Sequence, residues 1–366
     1  MKRRQNLTFA AIMTACLALL GCNEESANST DSVAAAQPQT FNWKMVTAWP
    51  KNYPALGTSA ERVAERINSM SNGRLTIKVY AGGELVPPLE VFDAVSRGTA
   101  QMGHGAAYYW KGKTDTAQFF TSVPFGLSAI EMNAWLHKGG GLQLWQEAYA
   151  PFGVKPFAIG NSGMQMGGWF NKEIHSLDDL KGLKIRMPGL GGEVLNRLGA
   201  TTVNLPGSEV FTALQTNAID ASDWVSPYND LAFGLHKAAK YYYYPGWQEP
   251  QAVLELIINQ EAWDSLPADL QAIVTEAIRA GNADMLDDFT WNNARALSEL
   301  KQADVQLRRF PDEVLQAMQK ESALVLDDLA SKSELNQRIW DSMQAFQQQV
   351  TQMHKISEKE LYNWRD

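Results

Sequence analysis

Residues 183–224, LKIRMPGLGGEVLNRLGATTVNLPGSEVFTALQTNAIDASDW, decide the fold class of this chain. A short apolar strand at residues 183–187 carries one cation, Arg186, and a Pro-Gly turn then opens a helix. A second short strand at residues 202–205 and a second helix follow and lead to Asp223. Alternating strands and helices are typical of an α/β sheet with parallel strands. The stretch therefore predicts one α/β lobe.

The position of Arg186 at the end of a strand suits recognition of a small carboxylate. A guanidinium donates two parallel hydrogen bonds to a carboxylate, and the following helix offers unpaired N–H groups and the positive end of its dipole. The alternatives are a solvated Arg at a strand end and a structural ion pair. We take Arg186 as a candidate ligand-binding residue within the larger stretch 163–250.

The same alternation occurs nearer the N-terminus, so the sequence predicts two α/β lobes with the ligand in the cleft between them. Predicted strands lie at residues 41–48, 75–80 and 100–105, and predicted helices at 60–70 and 88–97. Further predicted elements are a strand at 253–259, a helix at about 269–301, a strand at 305–310 and mostly helical structure over 311–364. The tyrosines at 241–244 are interpreted as a half-buried strand or loop.

Length and composition are those of an ordinary globular protein. A chain of 366 residues suggests two domains, or one domain with excursions, and 45% hydrophobic with 20% charged residues is enough for a sizeable core. The formal charge of −8 disfavours nucleic acid or an anionic membrane surface as the main partner.

The first residues have the pattern of an export signal. Basic residues at 2–4 precede an apolar segment, 7–20, that is too short for a comfortable membrane span. The segment ends in Leu-Leu-Gly-Cys, which resembles the lipobox of bacterial lipoproteins and predicts cleavage before Cys22 and lipid attachment to its sulfur. The alternative is an ordinary secretory peptide with a coincidental cysteine. Removal of residues 1–21 takes away three basic residues and no acidic one, so the charge changes from −8 to −11.

Several kinds of chemistry are disfavoured. Cys16 leaves with the predicted signal and Cys22 is predicted to be lipidated, so no thiol remains for a disulfide, a metal site or a nucleophile. The five histidines are far apart, and HExxH, GxSxG, Walker and GxGxxG motifs do not occur. We therefore predict a binding protein and not an enzyme. Residues 22–40, rich in Ser, Ala, Asn and Glu, are predicted to be a flexible tether.

Polar side chains at the ends of elements are the remaining candidates. Asp223 and Glu249 each follow apolar or aromatic segments, with a helix cap or a surface charge as the alternative. Gln165 lies between two methionines, and a satisfied buried amide would explain it equally. Aromatic residues near predicted loops could pack in the core or between lobes, or close an apolar lid over a small ligand: Trp49, Tyr108, Tyr109, Trp110, Trp169, Trp224 and Trp247.

The run LDDLKGLKIRMPG (177–189), followed by LGATTVNLPGSEVFTALQTNAIDA (198–221), resembles the substrate-binding proteins of TRAP transporters, the tripartite ATP-independent periplasmic transporters of DctP type. The resemblance covers residues 41–330 and includes WPK, GELVPPLEVFDAVSRGTAQMGHG and LPADLQ. The runs GMQMGGWF, PGLGGEV, DWVSPYND and PGWQEP further resemble the subgroup that binds 2-oxo acids and related monocarboxylates such as pyruvate. The family implies a two-lobed α/β periplasmic-binding-protein fold with a hinge, mostly parallel or mixed sheets, long helices and a helical C-terminal tail.

The resemblance also implies residue roles. Arg186 would hold the ligand carboxylate, and Gln165 would contact both the ligand and a metal ion. Tyr108 and Trp49 would contact the ligand from the first lobe, and Trp224 from the second.

The implied metal ligands are Gln165, Asp223, the backbone carbonyl of Trp224, and Glu249. Pyruvate-binding members have Glu where this chain has Asp223, so the cavity or the metal could differ. Two carboxylates and a monoanionic ligand facing one Arg favour a bound cation, because an isolated buried charge is costly. Oxygen ligands suit Na⁺ or Ca²⁺; the resemblance slightly favours Na⁺ and the charge sum favours Ca²⁺.

We therefore expect a periplasmic, lipid-anchored protein that delivers a small 2-oxo or 2-hydroxy monocarboxylate, such as pyruvate or lactate, to a TRAP membrane permease by hinge closure. A sensor component and an enzyme acting on a carboxylic acid are the alternatives. The predicted division is a signal peptide (1–21), the tether (22–40), lobe I (41–163 plus 250–292), lobe II (164–249 plus 293–325) and a C-terminal helical extension (326–366). The extension could pack behind the cleft or exchange between the subunits of a homodimer.

Overall fold

Two β-sheets and twelve α-helices form the part of the chain that the computed structural model describes, residues 39–365. The strands are β1 (Phe41–Thr47), β2 (Leu75–Tyr80), β3 (Met102–Gly105), β4 (Val154–Asn161), β5 (Gly168–Phe170), β6 (Lys184–Arg186), β7 (Thr201–Val203), β8 (Ala221–Ser222), β9 (Tyr241–Tyr244), β10 (Val253–Asn259) and β11 (Gln306–Arg309). The helices are α1 (Leu56–Met70), α2 (Val91–Ser96), α3 (Ala129–Lys138), α4 (Gly141–Tyr149), α5 (Gly189–Arg197), α6 (Gly207–Gln215), α7 (Pro227–Phe233), α8 (Gln260–Ser265), α9 (Ala268–Gln302), α10 (Asp312–Ala330), α11 (Glu334–Ile356) and α12 (Glu358–Tyr362).

The first sheet has the strand order β2-β1-β3-β10-β4. Strand β1 is parallel to β2 and β3, and β10 is antiparallel to β3 and β4. The sequence of β10, VLELIIN, is buried over its first six residues. Nearly continuous apolar character is expected of a strand that is covered on both faces.

The second sheet has the order β11-β9-β5-β8-β6-β7. Strand β6 is parallel to both β7 and β8, whereas β5 is antiparallel to β8 and β9. Both sheets are therefore mixed, as predicted. The first sheet takes its strands from residues 41–161 and 253–259, and the second from residues 168–244 and 306–309.

Long helices cover the sheets and form the C-terminal region. Helix α9 has 35 residues and packs against β4, α1 and α7. Ser333 caps the N-terminus of helix α11, because its side chain accepts a hydrogen bond from the Asn336 backbone N–H, and the helix packs against α3 and α4. Within residues 39–365, no helix is both long enough and apolar enough to cross a membrane.

Several predicted boundaries differ from those of the structure. Helix α1 begins at Leu56 and not at residue 60, and the predicted helix at 88–97 is a 3₁₀ turn, Pro88–Glu90, followed by α2. The tyrosines at 241–244 form a strand, β9. The predicted signal peptide, Cys22 and almost all of the predicted tether lie outside the described residues.

Candidate functional site

Arg186 and Asp223 meet at the carboxyl ends of two neighbouring parallel strands. Arg186 ends β6 and pairs with Ser222 of β8, so Asp223 follows directly. The Asp223 backbone N–H donates to the Arg186 carbonyl at 2.9 Å, and Arg186 Nη1 lies 3.4 Å from Asp223 Oδ2. Their side chains are 1% and 0% exposed, which excludes a solvated strand-end Arg and a surface carboxylate.

Three further contacts orient the Arg186 guanidinium. Nε donates to the Leu205 carbonyl at 3.3 Å, Nη1 to the Asp223 carbonyl at 3.2 Å, and Nη2 to the Tyr109 hydroxyl at 3.4 Å. The group also lies 5.1 Å from the centre of the Trp224 ring, a favourable cation–π distance. The sequence thus places a fixed cation three residues before α5.

Two glycines allow the close approach that builds this corner. Gly168 in β5 has a φ of +110°, and a Cβ there would lie 2.7 Å from the Ser222 carbonyl oxygen. Gly189, with a φ of +64°, begins α5 and faces the Tyr108 ring, 3.1 Å from where its Cβ would be. A side chain at either position would be strained and crowded.

In the first sheet, aromatic residues likewise follow the carboxyl ends of two neighbouring parallel strands. Strands β1 and β3 are parallel neighbours, Trp49 follows β1, and Tyr108 and Tyr109 lie in the 3₁₀ turn after β3. The rings of Trp49 and Tyr109 are 5.8 Å apart. Since Tyr109 also contacts Arg186, the carboxyl ends of strands from both sheets face one site.

Two segments connect the sheets beside this site: residues 162–167 between β4 and β5, and residues 245–252 between β9 and β10, here called the first and second crossings. They are hydrogen-bonded to each other. The Ser162 N–H donates to the Ala252 carbonyl at 3.0 Å, and the Gln165 N–H donates to the Glu249 carbonyl at 3.3 Å. Gln165 and Glu249 are therefore neighbours, although they are far apart in sequence.

Three buried oxygen atoms on these crossings have no hydrogen-bond partner anywhere in residues 39–365: Gln165 Oε1, Gln248 Oε1 and Glu249 Oε2. Buried acceptors are normally paired, so unpaired ones mark a place for a donor or a cation. Oxygen-only ligands suit a hard cation. The described part of the chain holds no group of three or more His, Cys, Asp or Glu side chains arranged for a metal, so a cation here would need amide and carbonyl oxygens as well as Asp223 and Glu249.

The two carboxyl groups are poorly stabilised as anions. Burial raises the pKa of Asp223 to about 6, against the opposing charge of Arg186 and the hydrogen bond from Gln248. Burial raises the pKa of Glu249 well above its ordinary value, and the charge of Asp223 raises it further. A bound cation would relieve both effects, so the electrostatics fit the unpaired oxygens.

A narrow cavity with a volume of only about 10 Å³ lies beside the charged cluster. Its walls come from both sheets and both crossings and include Trp49, Tyr108, Tyr109, Gln165 and Trp224. Trp49 Nε1 is a buried donor with no acceptor in the described residues. The cavity thus combines aromatic walls with one unpaired donor and one unpaired acceptor, Gln165 Oε1.

The structure brings together all seven of the predicted ligand and metal residues: Trp49, Tyr108, Gln165, Arg186, Asp223, Trp224 and Glu249. Three other aromatic candidates lie in the core. Trp110 donates to Glu255, Trp169 stacks on Tyr242 with ring centres 4.0 Å apart, and Trp247 packs on Phe125.

Sequence reasoning missed Asp230 in α7. Its Oδ1 accepts from the Val225 N–H at 3.2 Å, and its Oδ2 accepts from Trp169 Nε1 at 2.9 Å and the Tyr242 hydroxyl at 2.7 Å. The carbonyl and N–H of a trans peptide point in opposite directions, so Asp230 fixes the direction of the Trp224 carbonyl. The sequence signal was weak, because an acidic residue in the first turn of a helix usually serves the helix itself.

Gln248 was missed as well. Its Nε2 donates to Asp223 Oδ1 at 2.9 Å and to the Met166 carbonyl at 2.8 Å. No local pattern around residue 248 indicates this contact, because Asp223 is 25 residues away in the chain.

Comparison with known families and relatives agrees with the predicted class. The profile of the family DctP, bacterial extracellular solute-binding protein, family 7, matches residues 45–333. A monocarboxylate 2-oxoacid-binding periplasmic protein of Nostoc sp. is 45% identical over 366 residues, which cover 100% of this chain and 99% of the relative.

Solved structures share the fold. A TRAP periplasmic solute-binding protein from Pseudoalteromonas atlantica, with bound sodium and pyruvate, is 42% identical with a TM-score of 0.88, covering 90% of this chain and 100% of that one. A TRAP transporter solute-binding protein from Bordetella bronchiseptica, a mixed-occupancy dimer with calcium and picolinate in its occupied site, is 36% identical with a TM-score of 0.87, covering 89% and 97%. The predicted two-lobed α/β fold is confirmed.

Proposed function

Because the chain belongs to the DctP family of bacterial extracellular solute-binding proteins, we propose that it captures a small 2-oxo monocarboxylate such as pyruvate, together with a hard cation, for a TRAP permease. Membership of this family of transport receptors confirms the prediction of a periplasmic binding protein and not an enzyme. The observation that carries the ligand proposal is the buried Arg186, which lies against two cavity-lining aromatic residues and beside two buried carboxyl groups.

Arg186 binds the ligand carboxylate in this proposal. Its guanidinium is already oriented by Leu205, Asp223 and Tyr109, so little side-chain freedom is lost when the ligand binds. Charge-assisted, bidentate hydrogen bonds are the strongest contacts that a carboxylate makes in proteins.

Gln165, Asp223, the Trp224 carbonyl and Glu249 would hold the cation. The unpaired oxygens of Gln165 and Glu249 support this assignment, as does the charge balance. With a monoanionic ligand, the two carboxylates and Arg186 sum to two net negative charges, which sodium would halve and calcium would neutralise. Such an ion supplies positive charge to the ligand oxygens when bound. Sodium and calcium each occur in one of the two related structures, so either ion fits.

The first sheet supplies orientation and size selection. Trp49 Nε1 is placed to donate to a ligand oxygen, because it lines the cavity and lacks an acceptor within residues 39–365. Tyr108 packs beside α5 and forms part of the wall. Leu56 and Leu254 complete an apolar end, which suits a short aliphatic substituent on the 2-oxo acid.

Delivery to the permease requires release, and we propose hinge closure and opening about the crossings. The first and second crossings lie near the predicted lobe boundaries at Gly163 and Pro250. The third proposed boundary, Asn292, lies inside the continuous helix α9, and the chain enters the second sheet after residues 303–305. Ligand contacts made by both sheets would stabilise the closed arrangement, which the permease would recognise.

Attachment and assembly complete the proposal. A lipid on Cys22 would anchor the protein to a membrane that borders the periplasm. A homodimer would use the C-terminal helices and the turn that follows them, because large apolar side chains there are exposed: Met353 58%, Ile356 77%, Leu361 58%, Tyr362 64% and Trp364 81%. The relative from Bordetella is a dimer, which supports the proposal of a pair.

A thermal-shift screen tests the function. Ligand binding to the native state raises the melting temperature, so pyruvate should raise it, and more so in NaCl or CaCl₂ than in choline chloride. Lactate and succinate serve as a 2-hydroxy acid and a dicarboxylate for comparison. If no monocarboxylate raises the melting temperature with any cation, the proposed function is wrong.

A further inference from the structure

We propose that Gln248 is a positioning residue for the cation: it holds the Asp223 carboxylate away from Arg186 and thereby sets the affinity of the protein for the ion. This inference rests on the proposed function, because it presupposes that Asp223 is a ligand of a bound cation.

The orientation of the Gln248 amide follows from its contacts. Nε2 faces two acceptors, Asp223 Oδ1 at 2.9 Å and the Met166 carbonyl at 2.8 Å. A reversed amide would place Oε1 against two oxygens with no donor between them. Both N–H groups of Gln248 are therefore committed, one to the carboxylate and one to the first crossing.

Asp223 lies between competing donors. Its Oδ1 accepts from Gln248, while its Oδ2 is 3.4 Å from Arg186 Nη1. A buried carboxylate without the Gln248 donor would gain most by turning both oxygens toward the guanidinium, since a bidentate pair is the strongest arrangement open to it. That turn would withdraw an oxygen from the cation.

The position of Gln248 is itself well defined. The side chain is buried, and its Cβ lies 2.7 Å from where a Cβ of Gly191 would be. The absence of a side chain at Gly191 in α5 therefore lets Gln248 approach the helix. Through Met166 it is also tied to the crossing that carries Gln165. Gln248 thus links the start of α5, the end of β8 and the first crossing.

The test is the substitution Gln248→Met, which keeps the length of the side chain and removes the whole amide, that is, both N–H groups and the unpaired Oε1. Melting temperature is measured against NaCl and CaCl₂ without pyruvate, and pyruvate affinity is measured by calorimetry at saturating cation. We expect the half-saturating cation concentration to rise by about tenfold or more, the loss typical of one hydrogen bond to a charged group. Pyruvate affinity at saturating cation should stay within about threefold of wild type, because Gln248 acts through the cation site.

Gln251→Met is the matched control. Gln251 lies on the same crossing and is equally buried, but its amide bonds the Thr121 carbonyl and Asn161. It should leave the half-saturating cation concentration unchanged. If Gln248→Met does not fold, Gln248→Asn removes the same contact with a shorter polar side chain and should give the same shift.

The outcomes separate this inference from the function on which it rests. If the half-saturating cation concentration is unchanged in the Gln248 variants, or if cation affinity and pyruvate affinity fall equally, the positioning role is wrong. The proposed function would then remain intact. Wild-type protein that binds pyruvate without any cation dependence would overturn both the cation site and the role of Gln248.

Discussion

Replacement of Arg186 by Lys is the sharpest test of the proposed carboxylate contact. Lysine keeps a positive charge near the buried Asp223 but cannot make two parallel hydrogen bonds. The loss of one charge-assisted hydrogen bond, roughly 1.5–3 kcal/mol, corresponds to a dissociation constant that is roughly 10- to 150-fold higher. Arg186→Ala should weaken binding by at least about 100-fold. It also leaves the carboxylate of Asp223 buried without the guanidinium that faces it, so it destabilises the fold as well.

Calorimetry with pyruvate at saturating NaCl measures the change, and the melting temperature without ligand reports folding. Arg308→Lys is the matched control, because Arg308 lies in β11 of the same sheet and pairs with Glu173, a half-exposed surface residue. It should leave pyruvate affinity unchanged. A folded Arg186→Lys protein that binds pyruvate within about threefold of wild type would refute the carboxylate contact.

Three further predictions concern stability, anchoring and assembly. Burial raises the pKa of Glu255 to about 8, although Tyr149 and Trp110 donate hydrogen bonds to its carboxyl group. The folded protein therefore keeps a proton that the unfolded chain releases near pH 4.5. As a result, the free energy of unfolding falls as the pH rises from about 5 to 8. In denaturant titrations, Glu255→Gln should reduce this fall in the free energy of unfolding between about pH 5 and 8 by up to a few kcal/mol. If the variant and the wild type lose equal stability over this pH range, the raised pKa is contradicted. Cys22→Ser should move the protein from the membrane to the soluble fraction, and unchanged fractionation would count against lipidation. Ile356→Asp should convert a dimer to a monomer in light scattering, whereas a monomeric wild type would rule out the dimer.

Elements with long apolar or periodic runs could be predicted closely from the sequence. Strand β10 was predicted at residues 253–259 and spans Val253–Asn259, and α9 was predicted at about 269–301 and spans Ala268–Gln302. Strands β5 and β8, with three and two residues, are too short to show alternation. They form because they pair with neighbours, which single-sequence patterns do not report.

In the candidate site, too, some features could be predicted from the sequence and others could not. Arg186, Asp223 and Glu249 became candidates from their places at the ends of elements. The family resemblance then implied that Asp223 and Glu249, with Gln165, hold a cation. The contact of Arg186 with Tyr109 depends on the rotation of a 3₁₀ turn, and that of Gln248 with Asp223 depends on a long-range pairing. Local sequence does not determine either geometry. The roles of all these residues in binding stay predictions.

The crossings also determine where the chain can be altered for use as a sensor. Residues 162–167 and 245–252 carry Gln165, Gln248 and Glu249, so an inserted reporter domain there would interrupt the site itself. Within residues 39–365, the turn at residues 303–305, between α9 and β11, is a third passage between the sheets, and Ala303 and Asp304 are exposed. A fluorescent protein inserted at this turn would be coupled to lobe movement while the ligand contacts stay intact. It would turn the proposed closure into an optical signal for 2-oxo acids.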